Sequence, residues 1–212
     1  MNPTRTRIKI CGITRPGDAV QAALLGVDAI GLVFYRRSPR WVHIEQAAAI
    51  VAALPPFVSV VALFVDAERE EINRTLSAVH VDYLQFHGDE SPEVCRAYRR
   101  PYIKAVRMHP GLDVTEYAAR YDDAAALLLD TYSPDLPGGT GQSFDWSAVP
   151  QGLSRPLILA GGLHAGNMAE AVAAVHPYAV DVSGGVESGK GIKDAAKMTK
   201  FTQQIWGVRR RD

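Results

Sequence analysis

Eight short apolar runs punctuate this chain, at residues 7–11, 28–34, 57–65, 81–86, 102–106, 124–129, 157–160 and 179–182. Most are followed by a helix-sized segment: from Thr14 to Gly26, then 45–54, 68–79, 91–99, 114–120, 167–175 and 194–205. The pattern recurs about every 25 residues, the spacing of βα units. Strands that are apolar on both faces and alternate with helices belong in a parallel sheet. Eight such units predict an α/β fold of one kind, a closed (β/α)₈ TIM barrel. An open doubly wound sheet is the competing architecture, but no Gly-x-Gly-x-x-Gly turn follows the first strand. At 212 residues the chain stands near the barrel's lower limit of ~200. Its helices must therefore be short, and the one after the fifth strand is expected to be irregular or missing. The whole chain, 1–212, reads as one domain, with residues 1–6 and 208–212 as flexible ends.

Local signals place the boundaries. Arg7-Ile-Lys-Ile-Cys11 alternates polar and apolar, so Lys9 and Cys11 share one face of the first strand and Ile8 and Ile10 the other. Gly12 ends that strand, Thr14 is placed to cap the next helix, and Pro16 suits its first turn. Pro55-Pro56 stops the second helix, and Ser91-Pro92 opens the fourth.

Composition excludes several roles. Lysine plus arginine and aspartate plus glutamate each number 23, giving no net charge and nothing that argues for nucleic acid or a membrane surface as partner. No signal peptide is expected, and no apolar run is long enough to span a bilayer. Two cysteines, Cys11 and Cys95, make no disulfide framework, which points to a reducing, cytoplasmic setting. Cys95 reads as helix packing. The six histidines have no ligand spacing, so no metal site is expected.

A parallel barrel collects all strand C-termini on one rim, where such folds bind ligands. The residues gathered there are Cys11, the loop from Tyr35 to Arg40, Gln85, His87, Asp130, Gly161-Gly162 and Ser183-Gly184-Gly185. The glycine pairs end strands seven and eight, the usual phosphate position in this fold, and let backbone N–H groups approach an anion. A helix N-terminus aimed at them would support that reading. Asp130 closes the all-apolar run 124–129, so desolvation should raise its pKa and suit it to general acid work. The Gly- and Pro-rich stretch 131–143 is a candidate lid. By alternation Lys9 and Asp181 both point into the barrel on neighbouring strands. They should form a buried ion pair beside Cys11, and the ammonium should favour the Cys11 thiolate. Residues alone leave three readings open: this acid/base pair, a different phosphosugar enzyme on the same barrel, or a binding module without turnover.

Taken in order, the motifs resemble the phosphoribosylanthranilate isomerase family of tryptophan biosynthesis. They are Lys9-Ile-Cys-Gly-Ile-Thr14, Gly31-Leu-Val-Phe-Tyr35 with Ser38 and Arg40, Val61-Ala-Leu-Phe-Val-Asp66, Leu84-Gln-Phe-His-Gly88, and Leu129-Asp-Thr131. Further on come Gly138-Gly-Thr-Gly141 with Phe144-Asp-Trp146, Ala160-Gly-Gly-Leu163 with Asn167, and Val180-Asp-Val-Ser-Gly-Gly-Val-Glu187. Gly184 stands where many members have a second serine, and His164-Ala165 replaces a proline-containing turn. The resemblance implies an Amadori rearrangement of N-(5-phosphoribosyl)anthranilate to 1-(2-carboxyphenylamino)-1-deoxyribulose 5-phosphate. It makes Asp130 the general acid and Cys11 the general base. Arg40 would hold the anthranilate carboxylate, and Gly161, Gly162, Ser183 and Gly184 the phosphate. Gln85, His87 and Asp181 would complete the binding site. It implies a phosphorylated small-molecule substrate, no cofactor, no metal, and a monomer or homodimer.

Overall fold

The computed structural model describes residues 5–132 and 143–207. Eight parallel strands close into a barrel in sequence order. They are β1 (Arg7–Cys11), β2 (Ala29–Val33), β3 (Ser59–Phe64), β4 (Tyr83–Phe86), β5 (Tyr102–Met108), β6 (Ala126–Thr131), β7 (Leu157–Leu159) and β8 (Ala179–Val182). The outer layer holds α1 (Pro16–Leu24), α2 (Ile44–Ala52), α3 (Arg69–Ala78), α4 (Pro92–Arg96), α5 (Val114–Arg120), α6 (Met168–Val175) and α7 (Ala195–Gly207). Among the described residues no helix is long and apolar enough to cross a membrane.

Alternation along each strand divides the core in two. Inward residues such as Val61, Ile103, Ala105, Leu128 and Ile158 fill the barrel. Outward residues such as Ile8, Ile10, Leu32, Phe64 and Phe86 pack under the helices. Both faces of every strand are covered, which is why the runs read as continuously apolar. The barrel closes where β1 meets β8, with Lys9 opposite Asp181 in register.

Three local expectations change. The helix after the fifth strand is neither irregular nor missing. Asp113 Oδ1 accepts from the N–H groups of Thr115 and Glu116, 2.9 Å each, and caps α5. The connection that has no α-helix among the described residues follows β6 instead, where 143–156 contains one 3₁₀ turn, Trp146–Ala148. Thr14 does not cap α1; its hydroxyl donates to the Gly191 carbonyl, and Arg15 takes the cap position with no side-chain bond. At the N-terminus, Arg5 and Thr6 are held rather than loose. Thr6 is buried and Arg5 pairs with Asp28. The rest of the proposed flexible ends, 1–4 and 208–212, and most of the candidate lid, 133–142, lie outside the described residues.

Beyond β8 the chain makes a feature that the strand count does not include. A 3₁₀ turn at Gly184–Val186 leads into a small antiparallel hairpin, β9 (Glu187–Gly189) and β10 (Ile192–Lys193). It folds back over the β1 end of the rim, with Gly191 against Thr14.

Candidate active site

Six of the expected residues line one cavity of about 260 Å³ at the C-terminal rim: Asp130, Gly161, Gly162, Asp181, Ser183 and Gly184. The glycine loops are pressed together. A Cβ on Gly185 would lie 2.0 Å from the Leu163 carbonyl oxygen, so only glycine fits. Asn167 fixes the β7 loop by donating to the Gly162 carbonyl and accepting from the His164 N–H. The helix start sought behind the phosphate loops is a single 3₁₀ turn beginning at Gly184; α6 starts only at Met168, six residues past Gly162.

Asp130 ends β6 on its inward row. Its Oδ1 accepts from the Thr131 N–H at 2.8 Å, and its Oδ2 lies 3.1 Å from His87 Nε2. On the far side of the ring, His87 Nδ1 lies 2.9 Å from Gln85 Nε2. Gln85, expected in the pocket wall, is buried and is not among the residues that line this cavity. It is 0% exposed, and its amide nitrogen meets His87. Its Oε1 is buried without a hydrogen-bond partner among the described residues. The loop carrying His87 is pinned from outside the barrel. Buried Lys104 donates to the Gly88 carbonyl and to Glu90, 2.6 and 2.9 Å.

Cys11 ends β1 with its sulfur against Gly31 of β2, where a Cβ would come within 2.7 Å of Sγ. Lys9 Nζ donates to Asp181 Oδ1 at 2.9 Å, and both side chains are under one-tenth exposed. The predicted ion pair is thus present and adjoins Cys11. Its effect on the thiol is smaller than expected. Burial pushes the Cys11 pKa up, and the opposing pull of Lys9 and Lys193 does not reverse it. Burial also pulls the Lys9 ammonium down, but Asp181 and Cys11 more than offset this, so Lys9 stays charged above its ordinary range. Cys95 is pushed up to about 12 by burial, as befits a packing residue.

Arg40 reaches the rim from the loop after β2. Its stem crosses Gly12, whose φ of +72° and missing Cβ the path requires; a Cβ there would sit 2.4 Å from Arg40 Cδ. The guanidinium lies beside Gly184, but its Nε and Nη2 both donate to Glu187.

A family model described as N-(5'phosphoribosyl)anthranilate (PRA) isomerase matches residues 8–204. An N-(5'-phosphoribosyl)anthranilate isomerase from Pseudomonas paraeruginosa is 62% identical over 199 residues, 94% of each chain. The chain belongs to the phosphoribosylanthranilate isomerase family. Its fold is that of solved members. The phosphoribosyl anthranilate isomerase of Thermus thermophilus superposes with a TM-score of 0.87 at 38% identity, covering 96% of this chain and all of that one. Another, solved in complex with reduced 1-(o-carboxyphenylamino)-1-deoxyribulose 5-phosphate, gives 0.83 at 38% identity over the same shares.

Within this isomerase fold, three residues at the rim escaped the sequence reading. Glu187 and Lys193 come from the hairpin and converge on Arg40 and Ser183. Glu187 lies in a family motif, so its position was available and its partner was not. Arg107, next to last in β5, stands opposite Asp130, pairs with Asp89, and lines a second cavity of about 330 Å³ with His109, Tyr117 and Tyr132. Strand alternation counted two residues past Ala105 would have placed Arg107 inward.

Proposed function

We propose that this isomerase converts N-(5-phosphoribosyl)anthranilate to 1-(2-carboxyphenylamino)-1-deoxyribulose 5-phosphate with Asp130 as general acid and Cys11 as general base. The observation that carries this reading is the shared cavity, in which the Asp130 carboxyl faces the glycine loops of β7 and β8. Phosphate rests on Gly161, Gly162, Ser183 and Gly184, which fixes one end of the substrate. Asp130 protonates the furanose ring oxygen. The anthranilate nitrogen pushes its lone pair in, the C1–O bond breaks, and a protonated Schiff base forms. The Cys11 thiolate then removes the proton from C2, and the electron pair flows to the nitrogen to give an enolamine. Tautomerisation places the carbonyl at C2. Substrate and product are isomers, so the sequence needs proton transfers and no outside electrons. The phosphorylated sugar is the partner, with no cofactor, metal or nucleic acid in the scheme.

The contacts on each group suit these tasks. The Thr131 N–H and His87 hold the Asp130 carboxyl in one orientation at the rim. Asp181 binds Lys9, and that ammonium favours the Cys11 thiolate more than Lys193 does. Arg40 supplies the charge for the anthranilate carboxylate. We place the enzyme in the cytoplasm, as a monomer or homodimer.

The test is turnover of freshly generated phosphoribosylanthranilate, followed by loss of anthranilate-type fluorescence without added metal or cofactor. Cys11→Ala and Asp130→Asn should each lower turnover by more than ~10²-fold. A folded wild type without turnover would sink the reaction. A Cys11→Ala protein of near-normal turnover would remove the base.

A further inference from the structure

Arg40 and Glu187 meet across 147 residues of chain, at the top of the barrel. Arg40 Nε and Nη2 donate to the two Glu187 oxygens at 2.8 Å each, with side chains 12% and 6% exposed. Planar two-point pairing of this kind fixes the guanidinium plane as well as its place. Glu187 is itself held. Its Oε1 accepts from Lys193 Nζ at 2.8 Å and from the Gly191 N–H at 3.3 Å. Lys193 donates onward to the Ser183 carbonyl and hydroxyl, 3.2 and 3.4 Å. Burial raises the Glu187 carboxyl, but Arg40 and Lys193 outweigh it and hold the group below its usual range, so it is ionised.

Glu187 takes both Arg40 and Lys193, and burial pulls the Lys193 ammonium down against the opposing hold of Glu187, while the neighbouring Lys9–Asp181 pair is neutral by itself. The Arg40 edge that a carboxylate would take side-on, Nε with Nη2, is already occupied by Glu187. What remains is the Nη1 end.

We propose that Glu187 is a positioning residue that aims the Nη1 end of Arg40 at the aryl carboxylate of the substrate. Glu187 thereby makes the enzyme select phosphoribosylated aryl amines that carry an ortho carboxylate over those that do not. The inference rests on the function proposed above.

Two ligands separate it from a merely structural role. One is the reduced product, carboxyphenylamino deoxyribulose phosphate; the other is its phenylamino counterpart without the carboxylate. Calorimetry on wild type and Glu187→Gln gives four binding constants. Glu187→Gln should weaken the first ligand about tenfold and leave the second unchanged, and in turnover it should raise KM far more than it lowers kcat. In an Arg40→Met background, adding Glu187→Gln should change neither ligand, because the residue acts through Arg40. That pair also serves if the single variant does not fold. Equal weakening of both ligands, or no change in either, overturns the inference while wild-type binding keeps the functional reading. A wild type that binds neither ligand overturns both.

Discussion

The sulfur of Cys11 is pulled in two directions. Removal from water disfavours the thiolate, and Lys9 with Lys193 favours it; burial prevails. The sign for activity follows. With a raised pKa the thiolate fraction in the free enzyme is small near neutrality and grows with pH. We expect its midpoint above the ~8.5 of a free thiol. Carbon-13-labelled cysteine in a Cys95→Ser protein, followed by NMR across pH, reads this directly, since it removes the second thiol. A midpoint below that of a free thiol would mean that the cations prevail over burial. At this scale strand alternation told a good deal. It aligned Lys9 with Asp181 correctly, because period two leaves a side chain only two choices. It gave nothing on what Arg40 or Glu187 would touch, because long side chains from loops choose partners by tertiary closure.

The short elements are held by chemistry that is partly written locally. Ser91 and Pro92 start α4 as their types suggest, with the Ser91 hydroxyl accepting from the Val94 N–H. Asp113, with Glu116 three residues on, was an equally readable start for α5 and accounts for its regularity. Thr14 misled because the cap position falls one residue later, at Arg15, and the Thr14 hydroxyl turns instead to the Gly191 carbonyl 177 residues away. The hairpin β9–β10 gave no strand signal in so few residues, yet it delivers Lys193 and Glu187 to the rim. The glycine loops were readable as turns, but their mutual contact was not. Gly185→Ala tests that contact. The added methyl meets the Leu163 carbonyl and must force the β7 and β8 loops apart. We expect a lower melting temperature, by ~1–3 kcal/mol of stability, and a raised KM with kcat less affected. An unchanged KM would detach these loops from phosphate binding.

Across the whole molecule, eightfold repetition was the strongest signal, and the closed barrel satisfies it. Closure itself rests on β1 and β8, where Lys9 and Asp181 form a nearly dry pair. Lys9→Met leaves a carboxylate buried without its cation, at a cost of about 3–5 kcal/mol in urea unfolding. Lys9→Met with Asp181→Leu should recover most of that loss and still be inactive. A single variant as stable as wild type would mean the pair plays no part in closing the ring.

That same closure sets when the protein becomes an enzyme during its own synthesis. The two ends of the pair are 172 residues apart. A growing chain carries its thiol from the outset and its acid by residue 130, but through all that time the first strand has an open edge. Its lysine has no counter-ion and its cysteine no wall on that side. A ribosome that stalls before the last strand emerges has made both proton-handling groups, and no site in which they can act on one substrate.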